Sequence, residues 1–203
     1  VSSVKGITAE NLVENGGCES ATGWTTFISG SGYNTALSSD VRYSGNYSLQ
    51  LVRTTEEASV SKRQTVTIPE PGTYTLSAYV KTVNVVSSTA GGACLVLDGT
   101  LSEYLVGTTD ATVQDGWQRI SVTKTFDTSG NYYIYLRLTT ATGTAYFDNV
   151  QLEKAEVESD YNFIENGSLR SSSNWTGAFS ELDTELERGH VGSVTGSAST
   201  AKS

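Results

Sequence analysis

Seven segments of the chain alternate apolar and polar side chains, at residues 47–53, 63–68, 73–82, 93–99, 117–126, 132–140 and 145–153. A period of two is that of a strand with one buried face. Between the segments lie turn-forming groups, Pro69–Gly72 and Thr128–Asn131, where proline presets φ and glycine admits positive φ. The pattern predicts two packed sheets, with apolar faces inward. One short helix is predicted over residues 180–189, with Ser180 as its N-cap and Gly189 just past its end.

Alternation also sorts side chains by face. Tyr74, Leu76, Ala78 and Val80 fall on one side of their strand and Thr75, Ser77, Tyr79 and Lys81 on the other. In a later strand Ile134, Leu136 and Leu138 alternate with Tyr133, Tyr135 and Arg137. If these two strands pair, Tyr79, Lys81, Tyr133, Tyr135 and Arg137 share one exposed face. Aromatic rings beside planar polar groups suit sugars, whose C–H faces stack on rings while hydroxyls take hydrogen bonds. The same face is equally readable as ordinary solvated sheet, since Tyr and Thr are good strand formers. Tyr33, Asn34, Glu103 and Tyr104 offer an alternative site at a sandwich edge. Trp24, Trp117 and Trp175 stand at strand starts and are assigned to the core.

An internal repeat organises the chain. At an offset of 151, Asn11–Ser20 (NLVENGGCES) falls on Asn162–Ser171 (NFIENGSLRS), and Trp24-Thr25 falls on Trp175-Thr176. Residues 1–10 then read as a linker, 11–154 as one module, 155–161 as a second linker and 162–203 as the start of a second copy. The charged run Glu153–Asp160 lacks strand alternation, as a linker would. Residues 162–203 include no counterpart of the later strands, so they are expected to be disordered or to be ordered by contact with another part.

The composition, with no Met, 20 Gly and 11 Tyr, agrees with a β-rich domain. A net charge of −9 repels phosphate backbones and anionic lipid, so neutral ligands or cations are the expected partners, with no nucleic acid and no membrane insertion. The N-terminus lacks the charged and apolar regions of a signal peptide, and the chain reads as part of a longer exported protein. Cys18 and Cys94 lack metal or redox spacing and read either as two separate buried hydrophobes or as a disulfide. The single histidine, His190, lies in the second copy, so no Ser-His-Asp or Cys-His arrangement can form in the first. Asp98, Glu103, Asp110 and Asp115 fall mostly in loops, away from the paired geometry of a glycosidase. A non-catalytic module is expected.

Six motifs in order, NLVENGGCES, Gly23-Trp24, SGNYSLQL, PGTYTLSAYVKT, DGWQRISVT and GTAYFDNVQLE, resemble the carbohydrate-binding modules of families 4 and 9. The variant most similar occurs in tandem in large bacterial surface proteins with Rhs or YD repeats. The resemblance implies a galactose-binding-domain-like jelly-roll β-sandwich in a secreted protein, neighbouring modules of a longer chain, and a polysaccharide or cell-wall glycan as ligand. It also implies one structural calcium, held by the Gly17 carbonyl, the Glu19 side chain, the Tyr47 carbonyl and Asp148, a set of hard oxygens that suits this ion. Arg170 replaces Glu19 in the second copy, so the ion is expected in the first only. The competing readings are that Glu19 and Asp148 merely cap turns, and that the module is a spacer or protein-contact domain with no sugar ligand.

Overall fold

The computed structural model describes residues 10–28, 30–56, 59–108, 116–158, 179–182 and 191–194. The strands are β1 (Thr25–Ile28), β2 (Tyr33–Ser38), β3 (Ser48–Arg53), β4 (Ser59–Ile68), β5 (Gly72–Val86), β6 (Gly92–Leu97), β7 (Thr100–Leu101), β8 (Gln118–Phe126), β9 (Gly130–Thr139), β10 (Thr142–Glu153), β11 (Phe179–Leu182) and β12 (Val191–Val194). No α-helix occurs among the described residues. The chain divides by its contacts into Asn11–Tyr161 and a second unit built from the residues on either side.

Within Asn11–Tyr161 two five-stranded antiparallel sheets face each other, ordered β1-β4-β9-β6-β7 and β2-β3-β10-β5-β8. The inward side chains come from both: Leu49, Leu51, Leu76, Val80 and Phe147 from one sheet, and Val60, Leu95, Ile134, Leu136 and Leu138 from the other, all fully buried. Burying each stabilises the fold by roughly 1.5–3 kcal/mol relative to exposure. Trp24 and Trp117 are buried, as expected, and Trp175 lies outside the described residues. Cys18 and Cys94 are free and buried, so of the two readings the separate hydrophobes are found. Burial pushes both thiols up, that of Cys94 to about 12.

The sequence pattern located β3 to β6 and β8 to β10 but missed β1, β2, β7, β11 and β12. Two expectations are corrected. Ser180 is not a helix N-cap but lies in β11, paired with Ser193 of β12; residues 183–190 lie outside the described residues. Glu153, read from the sequence both as the end of the strand 145–153 and as the start of the charged run, is the fully buried last residue of β10, opposite Thr75, so the strand reading holds for it and the linker reading does not. Beyond it, the Ala155 carbonyl accepts a bond from the Thr75 hydroxyl (2.8 Å), so the charged run begins docked on the sheet.

The first and last segments of this unit meet. A break in the β5-β10 register between Asp148 and Gln151 frees the Val150 amide, which donates to the Gly16 carbonyl (2.7 Å). The Leu12 amide donates to the Leu152 carbonyl (2.9 Å). The Asn11 side chain donates to the Val150 carbonyl (3.0 Å) and accepts from the Leu152 amide (3.0 Å). These bonds seat the Gly17–Glu19 turn beside the register break.

Candidate functional site

Strand β9 fixes one aromatic surface. Its even-numbered residues Ile134, Leu136 and Leu138 are buried, so Tyr133, Tyr135 and Arg137 point outward. Antiparallel pairing sets Thr65, Arg63 and Ser61 of β4 opposite these three, and Phe27 of β1 opposite Ser61. Directly paired residues share a face, so Phe27 and Arg63 join the tyrosines. Phe27 and Tyr135 meet edge to face at 5.7 Å between centroids, and Tyr133 and Tyr135 lie 6.2 Å apart. The Arg63 guanidinium lies over both Phe27 (4.8 Å) and Tyr133 (4.5 Å), and that of Arg137 over Tyr135 (4.9 Å). Phe27 and Tyr133 are each about two-fifths exposed, at 41% and 44%. Such exposed rings, held in place by neighbours, can stack on a flat apolar ligand face while the guanidinium N–H groups donate outward.

The expected platform is therefore split. Tyr79 and Lys81 belong to β5, which lies in the other sheet and pairs with β10 and β8, not with β9. Alternation could not show this, because a strand with one apolar face fits either layer. Tyr79 is stacked by Tyr43 (3.7 Å, 12° between planes), with Arg119 on the same ring at 5.5 Å. Its neighbours Thr75 and Ser77 are fully buried, so that side of β5 is not an open sugar surface along its length. The edge alternative also separates: Tyr33 and Asn34 lie in β2, at one end of its sheet, whereas Glu103 and Tyr104 follow β7, at the far end of the other. Phe27 and Arg63 were missed. Phe27 sits in a four-residue strand exposed throughout, which leaves no alternation to read.

The candidate calcium ligands gather around the loop 39–47. The exposed Glu19 carboxylate accepts from the Asn46 amide (3.0 and 2.9 Å) and its side chain (3.2 Å). The fully buried Asp148 carboxylate accepts from the amides of Tyr43 (2.9 Å), Ser44 (3.2 Å) and Asn149 (2.7 Å). The turn-capping role is thus real for both. It leaves lone pairs over, since two carboxylate oxygens offer about four acceptor sites. Burial raises the Asp148 carboxyl to about 6 despite the three amides, and the charge of Glu19 adds to the rise. The same two anions raise Cys18. Gly45 is packed beneath this group: at φ +61 it adopts a conformation that side chains resist, and a Cβ there would lie 1.8 Å from Glu19 Oε1. Among the described residues no cluster of three or more His, Cys, Asp or Glu occurs, so backbone carbonyls such as those of Gly17 and Tyr47 would have to complete any cation site.

No family model matches the chain, and no curated relative does. Solved structures do. A galactotriose complex of a carbohydrate-binding module, TmCBM61, is 15% identical with a TM-score of 0.50, over 72% of this chain and 99% of that one. The enzymatically active domain of tailspike protein 4 of bacteriophage CBA120 is 19% identical with a TM-score of 0.51, over 70% of this chain but only 21% of that one. A family 4 carbohydrate-binding module is 18% identical at a TM-score of 0.46, too remote to place this chain in that family. At such identities the likeness concerns architecture: the chain carries the jelly-roll β-sandwich fold that carbohydrate-binding modules share.

Proposed function

We propose that residues 11–154 form a non-catalytic carbohydrate-binding module of a secreted, multi-modular bacterial protein. The glycan lies on the outer face of the β1-β4-β9-β6-β7 sheet, against Phe27, Tyr133 and Tyr135, with Arg63 and Arg137 donating hydrogen bonds. The observation that carries this reading is the partly exposed ring surface on one sheet face, with guanidiniums lying over the rings. The sugar-bound module of the same architecture supports it. A glycan array followed by titration of each hit against Tyr135→Ala tests it, with at least about a tenfold loss expected from a lost stacking ring. An array without hits across plant, fungal and bacterial wall glycans would favour the spacer reading. That reading draws on the adjacency of Asn11 and Leu152, which lets modules follow one another on short connections.

One calcium ion is part of the proposal. Neither Glu19 nor Asp148 has a cationic side chain in ion-pair contact among the described residues, and the charge of Glu19 adds to the rise that burial imposes on Asp148. A donor set of two carboxylates and backbone carbonyls fits a hard divalent ion. The ion would neutralise the buried Asp148 and tie the Gly17–Glu19 turn to loop 39–47 and β10. Its role is structural.

A further inference from the structure

The charge on the aromatic face runs against that of the chain. The protein carries a net charge of −9, but the five strands of the β1-β4-β9-β6-β7 sheet contain no Asp or Glu at all. Two guanidiniums, Arg63 and Arg137, stand on its outer face. Among the described residues neither is ion-paired; the two salt bridges there are Lys124–Asp98 and Lys154–Glu70. Arg137 donates through Nε to the Ser61 hydroxyl (3.2 Å), which fixes its plane and leaves both Nη groups to donate elsewhere. Arg63 lies against Phe27 and Tyr133, and among the described residues its side chain is held by these two rings. A surface meant for neutral sugar needs open ring faces. Here guanidinium planes take up part of them, and cationic forks are presented beside the exposed ring portions.

We propose that this face selects acidic glycans, in which the sugar rings carry carboxylates, as in a polyuronate. The inference rests on the glycan-binding reading above and deepens it. A guanidinium matches a carboxylate with two parallel N–H···O bonds, each stronger for being charge-assisted. Stacking has already fixed both side chains, so less conformational entropy is lost on binding. The chain's negative charge, which argued for neutral ligands, lies off this sheet's strands, and at physiological salt its field is screened over about 8 Å.

The test compares polygalacturonate with its fully methyl-esterified form, one backbone with and without charge, by isothermal titration to the full chain. The acid form should bind at least about tenfold more tightly, and Arg63→Gln and Arg137→Gln should each lower its affinity on the order of tenfold and that of the ester by clearly less, so that the preference for the acid form shrinks. Tyr135→Ala should weaken both forms. The esterification comparison needs no variant, so a variant that unfolds does not blunt it. Equal affinity for the two forms, or arginine variants without effect, overturns the acidic assignment and leaves glycan binding standing. Equal binding to polyacrylate, which has charge but no sugar, overturns it as mere ion exchange. Binding of a sulfated galactan but not of any polyuronate overturns the carboxylate assignment. Failure to bind any charged or neutral glycan overturns both readings.

Discussion

At Asp148 two physical effects oppose each other, and burial prevails. Three donated amides favour the anion, but removal from water raises the folded carboxyl to about 6, against an ordinary value of 3.8. Between those values the folded chain holds a proton that the unfolded chain has released. Stability therefore falls as pH rises through this window, by roughly 3 kcal/mol at most from this one group. In EDTA, the melting temperature should rise on acidification from pH 7 towards pH 4.5, until other carboxylates begin to oppose the trend. Saturating calcium should flatten or reverse this slope, because an ion at Asp148 competes with the proton. A melting series at fixed ionic strength, with and without calcium, checks both slopes. Glu19 and Asp148 were legible in the sequence through the resemblance of their motifs. Ser44 was legible in the same way, but the amide of Tyr43 was not, because the loop that supplies it closes on Asp148 across more than 100 residues of chain.

Strand β9 shows what alternation encodes and what it leaves out. Which residues face inward was readable, since each apolar side chain must leave water on one side only. Which strand lies beside which was not, and so Tyr79 and Lys81 were grouped with Tyr133, Tyr135 and Arg137 although two different sheets hold them. Short β1 was invisible because all four of its residues are exposed, and with it Phe27 was lost from the site. Adjacent residues of β9 offer a direct contrast. Leu136→Ala deletes a fully buried side chain and should cost about 2–5 kcal/mol in urea unfolding with little change in glycan affinity per folded molecule. Tyr135→Ala, one position away on the outer face, should cost about 1 kcal/mol or less and abolish most of the binding. If the two effects do not separate, β9 does not divide packing from recognition as its register indicates.

For the whole module, the ion and the fold are linked by mass action. Calcium at about 100 times its dissociation constant should stabilise the folded state by about 2.7 kcal/mol, or roughly 5–10 °C in melting temperature for a domain of this size. An unchanged melting curve in EDTA, with no metal by elemental analysis, would remove the ion from the proposal. The meeting of Asn11 and Leu12 with Val150 and Leu152 carries a mechanical meaning as well. Where such a module is strung in a chain under tension, the load enters and leaves at nearly one point, so those bonds open one after another, as a zipper does, rather than sharing the load in shear. The segment from Asn11 towards Glu19 should peel first at low force, while the two sheets, which the pull has not yet reached, stay closed. Single-molecule extension should record this as a short early step whose force rises with added calcium, making the Glu19 turn a latch against stretching.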